Sequence, residues 1–506
     1  MQQIHSTILL RSVSVILLAA GCGGTRSAEA ACAAQNTCFG INALQSLTTG
    51  AQNSAFGQDA LSGNTEGNRN SALGAGALRN NTVGLDNTAV GAGALDDNST
   101  GGQNTAVGAG ALSGSSTGSS NTSVGWAAIG GSMGPLTGDQ NTAVGSMALS
   151  ELQRGSDNTA VGHQAMFGPP ESGILDAIGN TAIGSRAMEQ TSGGEGNTAV
   201  GFLALRAIGQ ESPAIYNFNT GVGANAMLLL RSGEYNTAIG YHALQGKIPG
   251  ITGDWNTASG ANALMQNNGG EGNTATGFDA LHLNMTGSRN TGIGINSLGA
   301  VRTGFRNTAL GADAGKNITS GSDNITIGAE NHGLAVENGV IRIGKAAFQK
   351  KTFIAGISGV STGLSGASAV FVDANGQLGT IKSSQAYKED IHPLAEASER
   401  IYSLRPVRFR YKEAYEDGSK PIQYGLIAEE VARVFPELVV YDAEGKPETV
   451  AYHLLASLLL NELQKERSVT NQQAATLEWQ SAELARLKQD MARMSDAIAE
   501  LAQGRR

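Results

Sequence analysis

A repeat runs through most of the chain, and it leaves few folds open. Asn stands at 36, 53, 70, 87, 104, 121, 141, 158, 180, 197, 219, 236, 256, 273, 290, 307 and 324, seventeen places in all. Twelve of the sixteen intervals are 17 residues, and the other four are 20, 22, 22 and 20. Four residues after each Asn comes Gly, from Gly40 through Gly91 and Gly201 to Gly328. In most units Ala followed by Leu, Met or Ile comes shortly beyond it, as in Ala94-Leu95, Ala165-Met166 and Ala280-Leu281. Self-similarity at one period is the mark of a solenoid, in which each unit covers the apolar side of the next.

Composition matters here because 70 of the 506 residues are Gly. A collagen would need Gly at every third place and far more than the 10 Pro present. A disordered chain would not carry 40% hydrophobic residues. The glycines are also unevenly placed: beyond residue 382 only Gly418, Gly425, Gly445 and Gly504 remain, whereas charged residues become dense there. The chain is two materials joined near residue 382. A net charge of -9 argues against a nucleic-acid partner.

One unit reads as a short strand, a tight turn at Gly, a second apolar element and a variable loop. In Asn87-Thr88-Ala89-Val90-Gly91 the neighbours Ala89 and Val90 point to opposite faces, and both are apolar, so both faces call for cover. Three copies around one axis would supply it, with one face on each chain's own core and the other at the interface. Asn at one place in every rung suits a turn and a stacked amide ladder. Pro135, Pro169, Pro170, Pro213 and Pro249 are the only prolines before residue 393, and all lie in the four lengthened intervals. Proline donates nothing to a ladder, so the extra residues read as loops projecting from an uninterrupted stack. The loops at 126–140, 163–179, 202–218 and 241–255 are the places for an unknown surface ligand.

This array resembles the heads of trimeric autotransporter adhesins, left-handed parallel β-rolls with a recurrent Ser/Asn-x-Ala-Ile-Gly motif, over residues 36–330. The resemblance implies a homotrimer. A Thr ladder also raises an ice-binding reading, which one Thr per rung in a buried trimer disfavours.

Residues 1–22 carry Arg11, the apolar run Val13–Ala20, and Gly21-Cys22. The run is too short to span a bilayer and suits a signal peptide. Ala19-Ala20-Gly21-Cys22 resembles a bacterial lipobox, which implies lipidation at Cys22 and an outer-membrane lipid anchor. Cleavage after Ala28-Glu29-Ala30 is the alternative. An exported chain leaves Cys32 and Cys38 either paired as a disulfide or as two free thiols.

After the array, Val340–Gly344, Thr352–Ile357, Ala369–Asp373 and Asn375–Gly379 read as strands of a β stalk over 331–382, trimerising by interleaved strands. Val407, Phe409 and Tyr411 alternate with Arg408, Arg410 and Lys412 as a half-buried strand. Gly425–Glu437 reads as a strand end, a short helix and a Pro stop, and His453–Glu466 as a helix. Leu477, Leu484, Leu487, Met491, Met494, Ile498 and Leu501 follow heptad spacing, so 471–503 reads as a coiled coil interrupted at Gln480.

Ser383 with Lys388 and Ile391, Leu404–Phe409, Gly425-Leu426-Ile427-Ala428 and Phe435-Pro436-Glu437-Leu438 occur in that order. Residues 383–470 so resemble the C-terminal intramolecular chaperone of phage tail spikes and endosialidases, a self-cleaving peptidase family. The resemblance implies Ser383 as nucleophile, Lys388 as general base and the Lys382–Ser383 bond as the one cut, once per chain. A Ser hydroxyl needs an adjacent base, and Lys serves only where its pKa falls from about 10.4. Gln385 and Ala386 stand where the family has arginines. The histidines have no metal-ligand spacing, and no phosphate loop follows a strand, so no cofactor or metal is expected.

The expected fold is mainly β. It runs as signal peptide (1–22), linker (23–35), seventeen-repeat solenoid (36–330), stalk (331–382), α+β chaperone unit (383–470) and coiled coil (471–503). The expected function is an exported trimeric surface fibre with a self-cleaving chaperone. A fibre that keeps the unit as a cap and a phage-derived tail fibre are the alternatives.

Overall fold

The structure is a computed structural model. It describes residues 35–503 apart from 132–135, 170–175, 192, 207–215, 249, 346, 374 and 443. The signal peptide, Cys22 and Cys32 lie outside the described residues, as do Pro135, Pro170, Pro213 and Pro249. The chain forms two compact units, divided between Phe353 and Ile354.

The first unit is a parallel β-solenoid of about 17 turns, with one three-residue strand per rung, from Thr37–Phe39 to Ile341–Ile343, in an 18-stranded sheet. Register holds motif to motif: Thr88, Ala89 and Val90 pair with Thr105, Ala106 and Val107. It also holds across all four lengthened intervals, where Thr122 pairs with Thr142, Thr159 with Thr181, Thr198 with Thr220 and Thr237 with Thr257. The extra residues therefore leave the stack without displacing it. In one lengthened interval Asp176–Ile178 pairs with Gly193–Glu195 of the following rung as a second, two-stranded parallel sheet.

The middle residue of each strand faces inward. Ala89, Ala106 and Ala143 are fully buried, together with the Ala-Leu pairs such as Ala94-Leu95 and Ala111-Leu112. The Leu columns fill the core and the Ala columns leave room for them, each buried Leu contributing about 2 kcal/mol relative to an exposed one. The first and third strand residues face outward. Val107, Val144, Ile183 and Ile239 are exposed, so the outer sheet face carries a Thr column beside a Val/Ile column that nothing in the single chain covers.

Two features lock the rung height. Each motif Asn is buried, and its Oδ1 accepts the backbone N–H of the next one: Asn104 N–H donates to Asn87 Oδ1 at 3.0 Å and Asn121 N–H to Asn104 Oδ1 at 2.9 Å. The Asn104 amide also donates to the Gly118 carbonyl at 2.8 Å. Gly91 ends its strand at φ +139, and a Cβ there would sit 2.4 Å from the Gly108 carbonyl oxygen. Glycine is thus required both by conformation and by the closeness of the next rung.

A second amide ladder joins Asn64, Asn81 and Asn98, and another joins Asn267 to Asn284. They stop because the following rungs place Ser115 and Val301 at that column. The Asn98 and Asn284 Oδ1 atoms accordingly find no hydrogen-bond partner among the described residues.

The stack continues past residue 330. Ile341–Ile343 pairs in parallel with Ile325–Ile327 as one more rung, with Val340 in the Asn position donating its N–H to Asn324 Oδ1 at 3.1 Å. Among the described residues, only Phe371–Val372 and Leu378–Gly379 form a hairpin in the remaining expected stalk. Thr352–Ile357, expected as a strand, is not one: it has no partner strand, and a lone strand leaves its backbone groups without ladder bonds.

In the second unit, Val407–Phe409 pairs antiparallel with Gln423–Gly425, and Val439–Tyr441 with Pro447–Val450. Helix α1 spans Ala428–Val434 and helix α2 runs without a break over Tyr452–Gln503. Its small core is Val431, Phe435, Leu438, Val450 and Leu458.

Candidate functional site

The site starts with a tight turn. Ser384 is extended and its Oγ accepts the Ala386 N–H at 3.4 Å, capping the single 3-10 turn Gln385–Tyr387. The N–H groups of Tyr387 and Lys388 donate to the Ser384 and Gln385 carbonyls at 3.0 and 3.1 Å. That turn folds the chain back so that Lys388 Nζ donates to Ser383 Oγ at 3.2 Å. Lys382, on the other side of the expected scissile bond, places its Nζ 4.4 Å from the centre of the Tyr387 ring. Sequence reasoning alone does not single out Tyr387 or Ser384; their one signal is that both lie between the two dyad residues.

Ser383 and Lys388 are exposed to solvent. The pair therefore has the contact that a nucleophile and its base need, on an open surface.

The rest of the unit holds a framework beside this turn. Tyr452, at the start of α2, accepts the Leu426 N–H on its hydroxyl at 2.9 Å, and a Cβ on Gly425 would lie 2.6 Å from that oxygen. This gives a physical reason for Gly425 in the Gly-Leu-Ile-Ala motif. Arg405 holds Glu430 by two hydrogen bonds, at 3.1 and 2.5 Å, and this contact holds the Glu430 carboxyl below the usual carboxylate range. Arg400 lies 3.8 Å over the Phe435 ring and reaches Glu437 at 3.2 Å.

A polar clasp ties the 3-10 segment Ala395–Ser403 to α2. Ser398 Oγ donates to Glu462, Asn461 Nδ2 donates to Ser398 Oγ at 2.6 Å, and Lys465 Nζ lies 3.1 Å from both Glu396 and Glu462. Ser398 and Glu462 are both buried. The Ser398 hydrogen bond is the main cause of a lowered pKa at Glu462.

Many apolar side chains of the unit remain uncovered. Tyr424 is 80% exposed, and Tyr387, Tyr402, Leu463 and the heptad residues Leu477, Leu484, Leu487, Met491, Met494, Ile498 and Leu501 are exposed as well. Among the described residues no group of His, Cys, Asp and Glu could hold a metal ion, and no helix is long and apolar enough to cross a membrane. Cys38 is disulfide-bonded, and its expected partner Cys32 lies outside the described residues.

A long solenoid that completes its own core, followed by a short unit that leaves its apolar residues open and begins at a Ser-Lys contact, has the layout of a tail-fibre-like chain with a C-terminal chaperone. Residues 383–440 match the model of a peptidase family described as the chaperone of endosialidase. The match begins at Ser383 itself and takes in Lys388, the Gly425 motif, α1 and Phe435–Leu438. A search of curated proteins and a search of solved structures each found no match.

Proposed function

We propose that the chain is an exported, homotrimeric surface fibre whose C-terminal unit brings three chains into register and then releases itself by cutting the Lys382–Ser383 bond. The observation that carries this reading is the 3.2 Å contact of Lys388 Nζ with Ser383 Oγ at the first residue of the family match. Three chains would cover what one leaves open. The outward Val/Ile column of the solenoid would meet its copies around the fibre axis, the exposed tyrosines would pack between units, and the α2 heptads would form a coiled coil.

Assembly would also switch on the chemistry. A Lys388 ammonium enclosed by neighbouring chains is disfavoured relative to the free amine. The amine then takes the Ser383 Oγ proton as that oxygen attacks the Lys382 carbonyl carbon. The proton passes to the departing Ser383 nitrogen, leaving Lys382 esterified to Ser383 Oγ. Water hydrolyses the ester to a Lys382 carboxylate and a free Ser383 N-terminus. Because the dyad is open in one chain, cleavage would follow trimer formation and report on it.

Residues 1–22 would direct export, with Cys22 lipidated and the fibre held at the outer membrane, and Cys32 would pair with Cys38. Loss of processing under globomycin would support the anchor, and processing that persists would remove it.

The exposure of the dyad also favours a second reading, in which the unit stays attached as a trimer cap. A denaturing gel separates the two. Cleavage gives a fragment whose N-terminus reads Ser-Ser-Gln-Ala and which Ser383→Ala abolishes. A full-length band of 51.8 kDa, less any leader, in both wild type and variant leaves only the cap.

A further inference from the structure

The residue immediately before each motif Asn forms a column of its own along the solenoid, at positive φ in almost every rung. That conformation suits Gly, Asn and Asp and is costly for bulky side chains. Six rungs place Asp or Gly there, namely Asp86, Asp157, Gly179, Gly196, Gly272 and Asp323, and eight place Gln, Ser or Arg. Three consecutive rungs place an aromatic residue instead: Phe218, Tyr235 and Trp255 adopt φ 56, 55 and 56. They gain little burial in return, being 43%, 50% and 60% exposed. The column takes this conformation whatever residue fills it, so what sets these rungs apart is three exposed aromatics in succession, which points to a use other than stability.

Phe218 and Tyr235 stack on each other, with centroids 5.1 Å apart. Beyond Trp255 the column has a gap, because the next rung carries Gly272, where an added Cβ would meet only Arg289 Cγ at 3.7 Å. Arg289 is the following residue of the column. With rungs about 4.8 Å apart, Trp255 and Arg289 start about 9.6 Å from each other. The Arg289 stem leans toward Gly272, so Arg289 and Trp255 together border the open position. The gap opens into a cleft of about 340 Å³ lined by Trp255, Glu271, Gly272, Ser288, Arg289 and Phe305. Arg306 at its far edge is held by Asp323 and lies 4.6 Å over the Phe305 ring. The Glu271 carboxylate and the Arg289 guanidinium make no hydrogen bond or ion pair among the described residues.

We propose that this cleft binds a saccharide, one pyranose ring of which lies between the Trp255 indole and the Arg289 guanidinium. A ring with an apolar face and a rim of hydroxyls matches the lining. Trp255 takes the C–H face, Glu271 accepts from hydroxyls, and Arg289 donates to hydroxyl or carboxylate oxygens. A purely aromatic ring would leave the Glu271 carboxylate and the Arg289 donors unanswered.

The test uses the full chain, with neutral methyl hexopyranosides and hexuronates as probes, read by saturation-transfer NMR and by titration calorimetry. Trp255→Ala is expected to weaken binding at least tenfold. Gly272→Gln should do the same by filling the gap. It should not disturb the fold, because Gln103 and Gln140 occupy this column at φ 62 and 60; an unchanged circular dichroism melt checks that. Arg289→Ala should cost a hexuronate more than a neutral hexoside. The proposal is overturned if no probe binds, if Gly272→Gln leaves binding unaltered, or if the cleft takes an aromatic peptide and no sugar.

Discussion

The two units of this chain solve the same problem in opposite ways. In the solenoid each rung buries its Ala and Leu against the next rung of the same chain and meets the neighbouring Asn backbone with its own amide. Among the described residues the C-terminal unit buries five apolar side chains and leaves a larger set of tyrosines, leucines and methionines open. One closes its inner core along the chain, whereas the other leaves most of its apolar side chains open. On the proposed function, the local contacts of the stack would not set the number of chains, and the incomplete core of the C-terminal unit would.

The largest effect expected from this contrast comes from the heptad seam. Leu487→Lys with Ile498→Lys should abolish the trimer in sedimentation and stop cleavage, while the strand signal of the solenoid persists. A trimer that survives the double change would place the counting function in the solenoid.

Next comes the amide ladder. Asn104→Ala removes the acceptor of the Asn121 N–H and the donor to the Gly118 carbonyl, two buried groups. A loss of about 2–4 kcal/mol in local stability is expected. Hydrogen exchange should find it at Asn121 and adjacent rungs and leave the C-terminal unit unchanged, because repeat stacks melt by neighbours. Equal acceleration everywhere would mean that the units are not independent.

The polar clasp should respond to acid. Glu462 has its folded pKa depressed by Ser398, so its contribution is complete above the ordinary glutamate range near 4.3 and is lost as pH falls below that toward the folded value. The C-terminal unit should therefore melt earlier at pH 3 than at pH 6, and Glu462→Gln should flatten that difference. A pH response of equal size in the variant would remove the clasp as its cause.

The smallest effect is expected at the surface pairs. Arg69 holds Asp86 one rung away through exposed side chains, and such pairs add little in water. Arg69→Gln should leave the melting midpoint where it is. A clear drop would mean that charge, and not the amide ladder, sets rung spacing.

Much of this was legible in the residues because a repeat states each structural requirement many times. The Asn ladder, the Gly turns and the motif register all come from spacing. Which strand residue faces inward did not, since Ala89 and Val90 are both apolar; the narrow core decides it by volume and takes the smaller one. The second ladder at Asn64, Asn81 and Asn98 escaped because it spans only part of the array. Thr352–Ile357 was misjudged because β-propensity describes a fit to a partner strand, and the sequence does not name the partner. Ser383 and Lys388 came from the family resemblance and not from spacing, and the single 3-10 turn between them accounts for their contact. The aromatic column was missed for a simpler reason: the repeat is most regular on the C-terminal side of each Asn, and Phe218, Tyr235 and Trp255 stand immediately on its N-terminal side.

The amide ladder has a direction, and its last step has a consequence for fibres at high density. Every Asn offers its side-chain oxygen onward to the next rung, until Val340 takes the Asn324 oxygen and has none to pass on. An open parallel edge ordinarily invites another molecule to add to it. Here the closing rung presents an aliphatic side chain where an incoming rung would look for an amide. On the proposed function, a fibre adding at this rung would lack the amide step that joins the rungs within one chain.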